Sequence, residues 1–269
     1  MSVSKANIKL VRSLQQKKFR DERGLFVAEG RKCVEELSKA FERVMLFVEG
    51  EDATAQEIEQ MSSLRTPQGV IGVFRKRETR DRPATDPRQT RENGDSTSMG
   101  LIVALDGVQD PGNLGTIIRT CDWFGVPRLV CSLDTADCYN PKVVQATMGA
   151  LARVQVEYVE LVPWLEEIQA LYTEHTVRDT VGTPPVTSHL PIYGTLLNGR
   201  NLYEEGAIAE RQRGVIIMGN EGNGISEAVR RYITHPLLIP PYPADAETSE
   251  SLNVAIATAI TLAEFRRGI

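Results

Sequence analysis

The stretch GVIIMGNEGNGIS, residues 214–226, decides how this chain is read. Val215 to Met218 are strand-prone and apolar, and a loop carrying Gly219, Gly222 and Gly224 follows at once. Glycines let backbone approach a ligand closely because they carry no Cβ. Two nucleotide-binding templates fail here. A dinucleotide fold needs G-x-G-x-x-G after its first strand, whereas GNEGNG is G-x-x-G-x-G and follows a late one. A phosphate-binding P-loop needs a lysine and a Ser/Thr that this loop lacks, and Glu221 would repel a pyrophosphate. A loop with an acid suits a cationic or hydroxyl-rich ligand. As structure alone it is a tight strand-to-helix turn, with Glu221 near a helix N-terminus where the dipole favours an anion.

Around this stretch the chain alternates. From Met99 onward, GLIVALDGV, RLVCSL, VQVEYV, GVIIMG and PLLIP read as strands. NLGTIIRTCDWFGV, NPKVVQATMGAL, PWLEEIQALY, SEAVRRYI and SLNVAIATAITLAEFRR read as the helices between and after them. Strands alternating with helices imply a parallel sheet with helices on both faces. Residues 1–75 form a smaller α/β segment. Ser4 caps a helix with Ile8, Val11 and Leu14 on one face, LFVA, RVMLFVEG and PQGVIGVF are strands, and helices follow Gly30 and start near Asp52. Between them, residues 76–98 mix both charges with prolines and lack large aliphatic side chains, which is linker composition. The predicted organisation is therefore 1–75, a charged linker at 76–98, and 99–269.

Composition narrows the function classes. The 269 residues are 41% hydrophobic and 25% charged, as in an ordinary globular protein. No apolar run is long enough to cross a bilayer, and the N-terminus lacks a signal-peptide core, so the expected location is cytoplasmic. Cys33, Cys121, Cys131 and Cys138 lack metal-ligand spacing and read as reduced, packed thiols. With three histidines in total, neither a His-based metal site nor a Ser-His-Asp triad is expected. The net charge of −5 is unevenly spread. Residues 1–24 hold seven basic side chains against Asp21 and Glu22, net +5, which leaves −10 for the rest. A basic end on an acidic body can be an electrostatic footprint for phosphates, although charge alone fits a solvated helix face equally well.

Two further stretches carry candidate chemistry. In LDGVQDPGNLGTIIRTCDWFGV, Asp110 to Gly112 make a turn, Asn113 can cap the helix, Gly115 lies in its first turn and Arg119 lies further along. Arg119 reads either as a salt-bridged surface arginine or, given its mostly apolar flanks, as a buried functional cation, and its planar fork suits phosphate. In IPPYPADAETSESLNVAIATAI, prolines break a strand at Ile239 and Ser251-Leu252-Asn253 opens an apolar helix. A serine N-cap accounts for Ser251 but leaves Asn253 unexplained.

Taken in order, Asn113/Gly115/Arg119 (N-x-G-x-x-x-R), MGNEGNGI and IPPY…SLNVAIATAI resemble the three motifs of the SpoU-type RNA 2′-O-methyltransferases of the SPOUT superfamily. The resemblance covers residues 101–269. Residues 1–75, with FVAEG and TPQGVIGVF, resemble the small RNA-binding domain carried by many members. The sequence departs from the pattern in a longer PYPADAETSE loop (241–250) and a longer linker.

The resemblance implies a C-terminal parallel-sheet domain with a deep trefoil knot, plus the small N-terminal α/β domain. It implies S-adenosylmethionine as cofactor, held by the loops around Met218, Gly219, Asn220, Gly224, Ile239, Pro240 and Leu252. The glycines would then wrap an adenosine that bears no phosphate, and the acid would face a sulfonium. It implies methyl transfer to a ribose 2′-hydroxyl with Arg119, Asn113, Glu221, Ser251 and Asn253 as site residues and no metal. Free guanidinium is a poor base, so an arginine that binds phosphate and orients the hydroxyl is easier to defend than a proton acceptor. A homodimer is implied, with RNA gripped by Lys5, Lys9, Arg12, Lys17, Lys18, Arg20, Arg23 and Arg31. Ribosomal RNA is favoured over tRNA as substrate. The alternatives are a catalytically silent RNA-binding protein and a knotted methyltransferase acting on an RNA base. A Rossmann nucleotide enzyme fits least, because of the glycine spacing.

Overall fold

The computed structural model describes residues 2–77, 100–179, 189–243, 249 and 251–268, without the side chains of 173–179. The expected linker falls almost wholly outside these residues, as does most of the 241–250 loop.

The N-terminal elements are helices α1 (Lys5–Ser13) and α2 (Lys17–Arg23), strand β1 (Leu25–Glu29), α3 (Arg31–Leu37), β2 (Arg43–Val48), α4 (Ala55–Met61) and β3 (Val70–Arg75). The strands form an antiparallel sheet ordered β1-β3-β2. Ser4 caps α1 as expected, its side chain accepting from Asn7 N at 3.2 Å. Val11 and Leu14 turn inward to a core with Val27, Phe47, Ile58, Ile71 and Val73. The fourth helix starts at Ala55 rather than Asp52. Thr54 and Glu57 form a capping box there, while Asp52 accepts from Val48 N at 2.7 Å. A separate α2 was not foreseen; Gly24, at φ 63°, closes it in the left-handed conformation that glycine tolerates.

The C-terminal elements are β4 (Leu101–Asp106), α5 (Pro111–Trp123), β5 (Arg128–Ser132), α6 (Pro141–Thr147), β6 (Gln155–Val159), α7 (Leu161–Asp179), β7 (Ile192–Asn201), β8 (Gly214–Gly219), α8 (Glu227–Arg230), β9 (His235–Leu238) and α9 (Val254–Phe265). They build the predicted α/β architecture around a six-stranded sheet ordered β6-β5-β4-β8-β7-β9. The pairings of β4 with β5 and β8, and of β7 with β8 and β9, are parallel. The central strands are apolar throughout because both faces are covered. Trp164, Leu165 and Ile168 of α7 pack on Ile102, Ala104, Val215 and Ile217.

Strand β7 was absent from the sequence reading. Its glycines and its polar end, LLNGRN, break the apolar run that marked the other strands. Leu237 of β9 pairs with both Thr195 and Arg200, so residues 196–199 are looped out of the ladder.

Contact density groups Met1–Thr79, Asp110–Asp122 and Ala136–Gln155 in one compact unit and Arg80–Gln109, Trp123–Thr135 and Val156–Ile269 in another. In the first, α6 packs on β1, and Arg153 bridges Glu36 and Asp122 at 2.6 and 2.7 Å.

Candidate active site

The loop after β8 is a closed turn built by one asparagine. Asn220 and Gly224 exchange backbone hydrogen bonds, each N–H to the other's carbonyl at 2.9 Å. The Asn220 Oδ1 accepts from Gly222 N and Asn223 N at 2.8 and 3.0 Å. Its Nδ2 donates to Gly107 O at 2.6 Å, which fastens the turn to the end of β4. Asp106, the last residue of β4, accepts from Ser226 N at 2.7 Å and holds the far end of the loop. Glu221 stands exposed at the tip. Gly219 is required by sterics, since a Cβ there would lie 2.3 Å from the Gly224 carbonyl carbon and the Ile225 nitrogen. Asn220 therefore shapes the loop, with its amide oxygen and one N–H committed inside the protein.

Ser132 extends this support. Its hydroxyl accepts from Gly107 N at 2.8 Å and donates to Asp134 at 2.5 Å. Neither Asp106 nor Ser132 was singled out from sequence. A polar residue ending a buried parallel strand, where such sheets bind ligands, was the available signal. Met218 ends the apolar part of β8. Its side chain is 1% exposed in the sheet and accepts from the Thr195 hydroxyl at 3.8 Å, which leaves its backbone as the part available to a ligand.

In the third motif the helix begins at Val254, and the residue left unexplained by the sequence takes the cap. Asn253 Oδ1 accepts from Ala255 N and Ile256 N at 2.9 and 3.3 Å. Ser251 and Leu252 are exposed ahead of it, and Ile239 and Pro240, just past β9, are half-buried. The capping role expected of Ser251 thus belongs to Asn253.

Motif one lies on α5, which starts two residues earlier than Asn113. Pro111 opens it, and Asp110 accepts from Asn113 N at 2.8 Å, so Asp110 rather than Asn113 caps the helix. Gly115 is buried because α6 leaves no room there. A Cβ would sit 2.5 Å from that of Ala146 and 2.8 Å from Val143 O. Arg119 is exposed, not buried. Its apolar neighbours Ile117, Ile118 and Cys121 face inward, and the helical period turns Arg119 outward. It makes no ion pair among the described residues. Burial pushes the Cys121 thiol up to about 12, which removes it as a nucleophile at neutral pH.

The basic N-terminus divides into spent and unspent charge. Arg20, expected on RNA, is 2% exposed. It binds Asp137 at 2.7 Å and donates to the carbonyls of Leu14 and Gln15, so it cannot reach a phosphate. Lys17 is paired with Asp21 at 2.6 Å. Lys5, Lys9, Arg12, Lys18, Arg23 and Arg31 are exposed. Among the described residues no metal-holding cluster of His, Cys, Asp or Glu occurs, and no helix is long and apolar enough to cross a membrane.

Comparison with known proteins gives a family model, described as the SpoU rRNA Methylase family, that matches residues 100–263. A second, described as an MRM3-like substrate binding domain, matches residues 5–61. The 23S rRNA (guanosine(2553)-2′-O)-methyltransferase RlmP of Bacillus subtilis (strain 168) is 28% identical over 267 residues, covering 98% of each chain. A protein from Porphyromonas gingivalis assigned to the TrmH family of RNA methyltransferases superposes with a TM-score of 0.75 at 34% identity, covering 98% of both chains. An AdoMet-bound rRNA methyltransferase from Sinorhizobium meliloti superposes with a TM-score of 0.74 at 28% identity, covering 99% of this chain and 97% of that one.

Proposed function

The chain belongs to the SpoU rRNA methylase family, and from that premise we propose that it transfers a methyl group from S-adenosylmethionine to a ribose 2′-hydroxyl of large-subunit ribosomal RNA. The observation that carries this reading is the closed, acid-tipped turn after β8. Residues 214–226 and 239–253 contain no lysine or arginine, and Glu221 stands at the tip of the first loop. A phosphate-bearing cofactor would find no neutralising side chain there, whereas a sulfonium meets no charge of its own sign. The donor set therefore fits S-adenosylmethionine. Backbone at Gly219, Ile239, Pro240 and Leu252 would hold it, with Asn220 and Gly224 shaping the first loop.

When bound, that cofactor supplies an electrophilic methyl on a good leaving group, so no metal is needed. The work of the chain is to place the hydroxyl and receive its proton. Arg119 is exposed and unpaired among the described residues, with five N–H donors in a fixed fork. We assign it to a phosphate of the substrate, orienting the ribose and stabilising charge as it develops on the 2′-oxygen. Asn113, Glu221, Ser251 and Asn253 complete the proposed polar site, with Asn253 fixed in place by the cap it makes. The knot implied by the family pattern, the location in the cytoplasm and the division into an RNA-binding part (1–75) and a catalytic part (99–269) belong to the same proposal.

A homodimer is part of it too. Ile256, Ala259, Ile260 and Ala263 form an apolar, partly exposed stripe on α9, whose other face is already in the core. A helix apolar all round calls for a second partner.

The test is methyl-labelled S-adenosylmethionine with unmodified rRNA and tRNA in separate reactions, followed by digestion to nucleosides. A 2′-O-methylated nucleoside from the rRNA pool is expected. Label on a base, or cofactor binding with no transfer to either pool, would sink the proposal. Arg119→Ala should lose transfer and keep cofactor affinity, measured by calorimetry; lost affinity would contradict its assignment.

A further inference from the structure

Residues 1–75 read from sequence as a part joined to the rest by a linker, but they do not finish their own core. The sheet β1-β3-β2 has two apolar faces. On one, Val27 and Val73 pack with Val11 of α1 and Ile58 of α4. On the other, Phe26 and Phe74 stand opposite each other in the ladder, and both are fully buried. The Phe26 ring lies 5.2 Å from that of Phe41 and 5.5 Å from that of Phe74. The fourth ring, at 4.8 Å, is Tyr139, which comes from just ahead of α6 far along the chain. Helix α6 itself packs on β1. Without this segment Phe26 would lose its outer cover.

The rest of the seam is shaped to fit. Gly149 has φ 91°, and a Cβ there would lie 2.6 Å from that of Glu36 on α3. The Cys33 thiol donates to Val144 O at 3.9 Å, and Arg20 adds its buried pair with Asp137. Arg153 joins α3 to α5, through Glu36 at 2.6 Å and Asp122 at 2.7 Å. Gly115 lets α5 close on α6 at Ala146. Because α5 carries Asn113 and Arg119, contacts run unbroken from β1 through α6 to the motif-one helix, all within the first compact unit. Arg77, at the start of the linker, is held there too. Its backbone N–H donates to the Tyr139 hydroxyl at 3.2 Å, and its guanidinium donates to Ala152 O at 3.0 Å and lies over the Phe41 ring. The chain is therefore already fixed on the seam where the linker begins.

We propose that this seam, and not the linker, positions the RNA-binding part relative to Arg119, so that the RNA segment held by residues 1–75 and the ribose addressed by Arg119 are kept at a fixed separation. Tyr139 and Arg153 are positioning residues in this assignment and act through the parts they join. The inference rests on the RNA reading above. A docked part loses no orientational freedom when RNA binds, whereas a tethered one does.

The experiment inserts a site-specific protease sequence between Gly94 and Asp95 and cuts the folded, full-length chain there. The two fragments should coelute in size-exclusion chromatography, and the cut enzyme should methylate rRNA within about twofold of the uncut one. A linker lengthened by about twenty Gly/Ser residues should likewise leave KM for rRNA and the labelled nucleotide unchanged. Losing one contact leaves the seam closed, so the variant Y139A/R153A removes two. Its cut fragments should separate. Uncut, its KM for rRNA should rise about tenfold with S-adenosylmethionine affinity unchanged, a sign that the cofactor loops remain folded. Restoring the ring alone, in Y139F/R153A, should keep the cut fragments together. Wild-type fragments that part on cutting, or a cut or lengthened chain that loses rRNA methylation while the uncut one works, overturn the proposal. A wild-type KM in uncut Y139A/R153A overturns it as well. An uncut wild type that methylates no RNA, with its cut fragments still together, defeats the RNA reading and the positioning role with it.

Discussion

Asn220 concentrates more of the candidate site in one side chain than any charged residue does. Its amide closes the turn under Glu221 and fastens that turn to β4 through Gly107. Removing it deletes three hydrogen bonds, two from the exposed Gly222 and Asn223 N–H groups and one to the part-buried Gly107 carbonyl, at about 0.5–1.5 kcal/mol each. Asn220→Ala should therefore weaken S-adenosylmethionine binding tenfold or more by calorimetry, although Asn220 touches the cofactor only through the shape it imposes. Gly219→Ala should do the same by displacing Gly224. Wild-type affinity in both would show that the turn does not hold the cofactor. The cysteines give a second residue-scale outcome. Burial pushes the Cys33 and Cys121 thiols up to about 11 and 12, and all four cysteines are buried. A thiol reagent at pH 8 should leave the native chain unlabelled and label all four after denaturation. Labelling of the native chain would contradict the burial.

Among the elements, α4 shows how a cap couples to pH. The Ser2 hydroxyl, then the Thr54 amide, holds the Glu57 carboxyl down from 4.5 to about 2. The folded pKa lies below the unfolded one, so this contribution is complete above pH 4.5 and disappears as pH falls toward 2. Thr54→Ala should lower stability by about 1 kcal/mol in denaturant titration at neutral pH. Glu57→Gln should flatten the acid side of the stability profile within that window. An acid limb identical to the wild type would remove Glu57 from it. On α9 the same physics bears on the site, because the residue that caps the helix is also a proposed site residue. Substituting Asn253 should cost helix stability and activity together, which separates it from Ser251.

At the scale of the molecule, Arg20 shows what the chain does with distant charge. Its guanidinium reaches Asp137, 117 residues away, and two carbonyls near its own helix. Arg20→Met should cost about 2–4 kcal/mol, because it takes the cation from the half-buried Asp137 carboxylate, which keeps the Tyr139 N–H at 3.0 Å, and from the carbonyls of Leu14 and Gln15. RNA affinity measured on the folded fraction should not change. A mild loss of stability with a large loss of RNA binding would return Arg20 to the RNA surface.

Much of this protein is present in the order of its residues. Alternating apolar runs and helical periods mark five of the six strands in the parallel sheet, since a strand covered on both faces must be apolar throughout. Three spaced motifs mark the candidate site, and in the first loop the close approach of backbone to backbone demands glycine at 219. Strand β7 escaped, because its polar end and glycines carry no period of their own. The roles of particular polar side chains escaped as well. Sequence placed Arg119 in an apolar setting, and helical rotation turned it to solvent. Sequence counted Arg20 and Lys5 as equal charges, whereas the fold buried one on Asp137 and left the other exposed on α1. Gly115 read as part of a ligand motif, and contact with α6 showed that it makes room for Ala146. Local pattern determines which residues must be apolar or small, because that requirement acts along the chain. Which donor meets which acceptor is decided only when segments distant in sequence are brought together, and no local period records it.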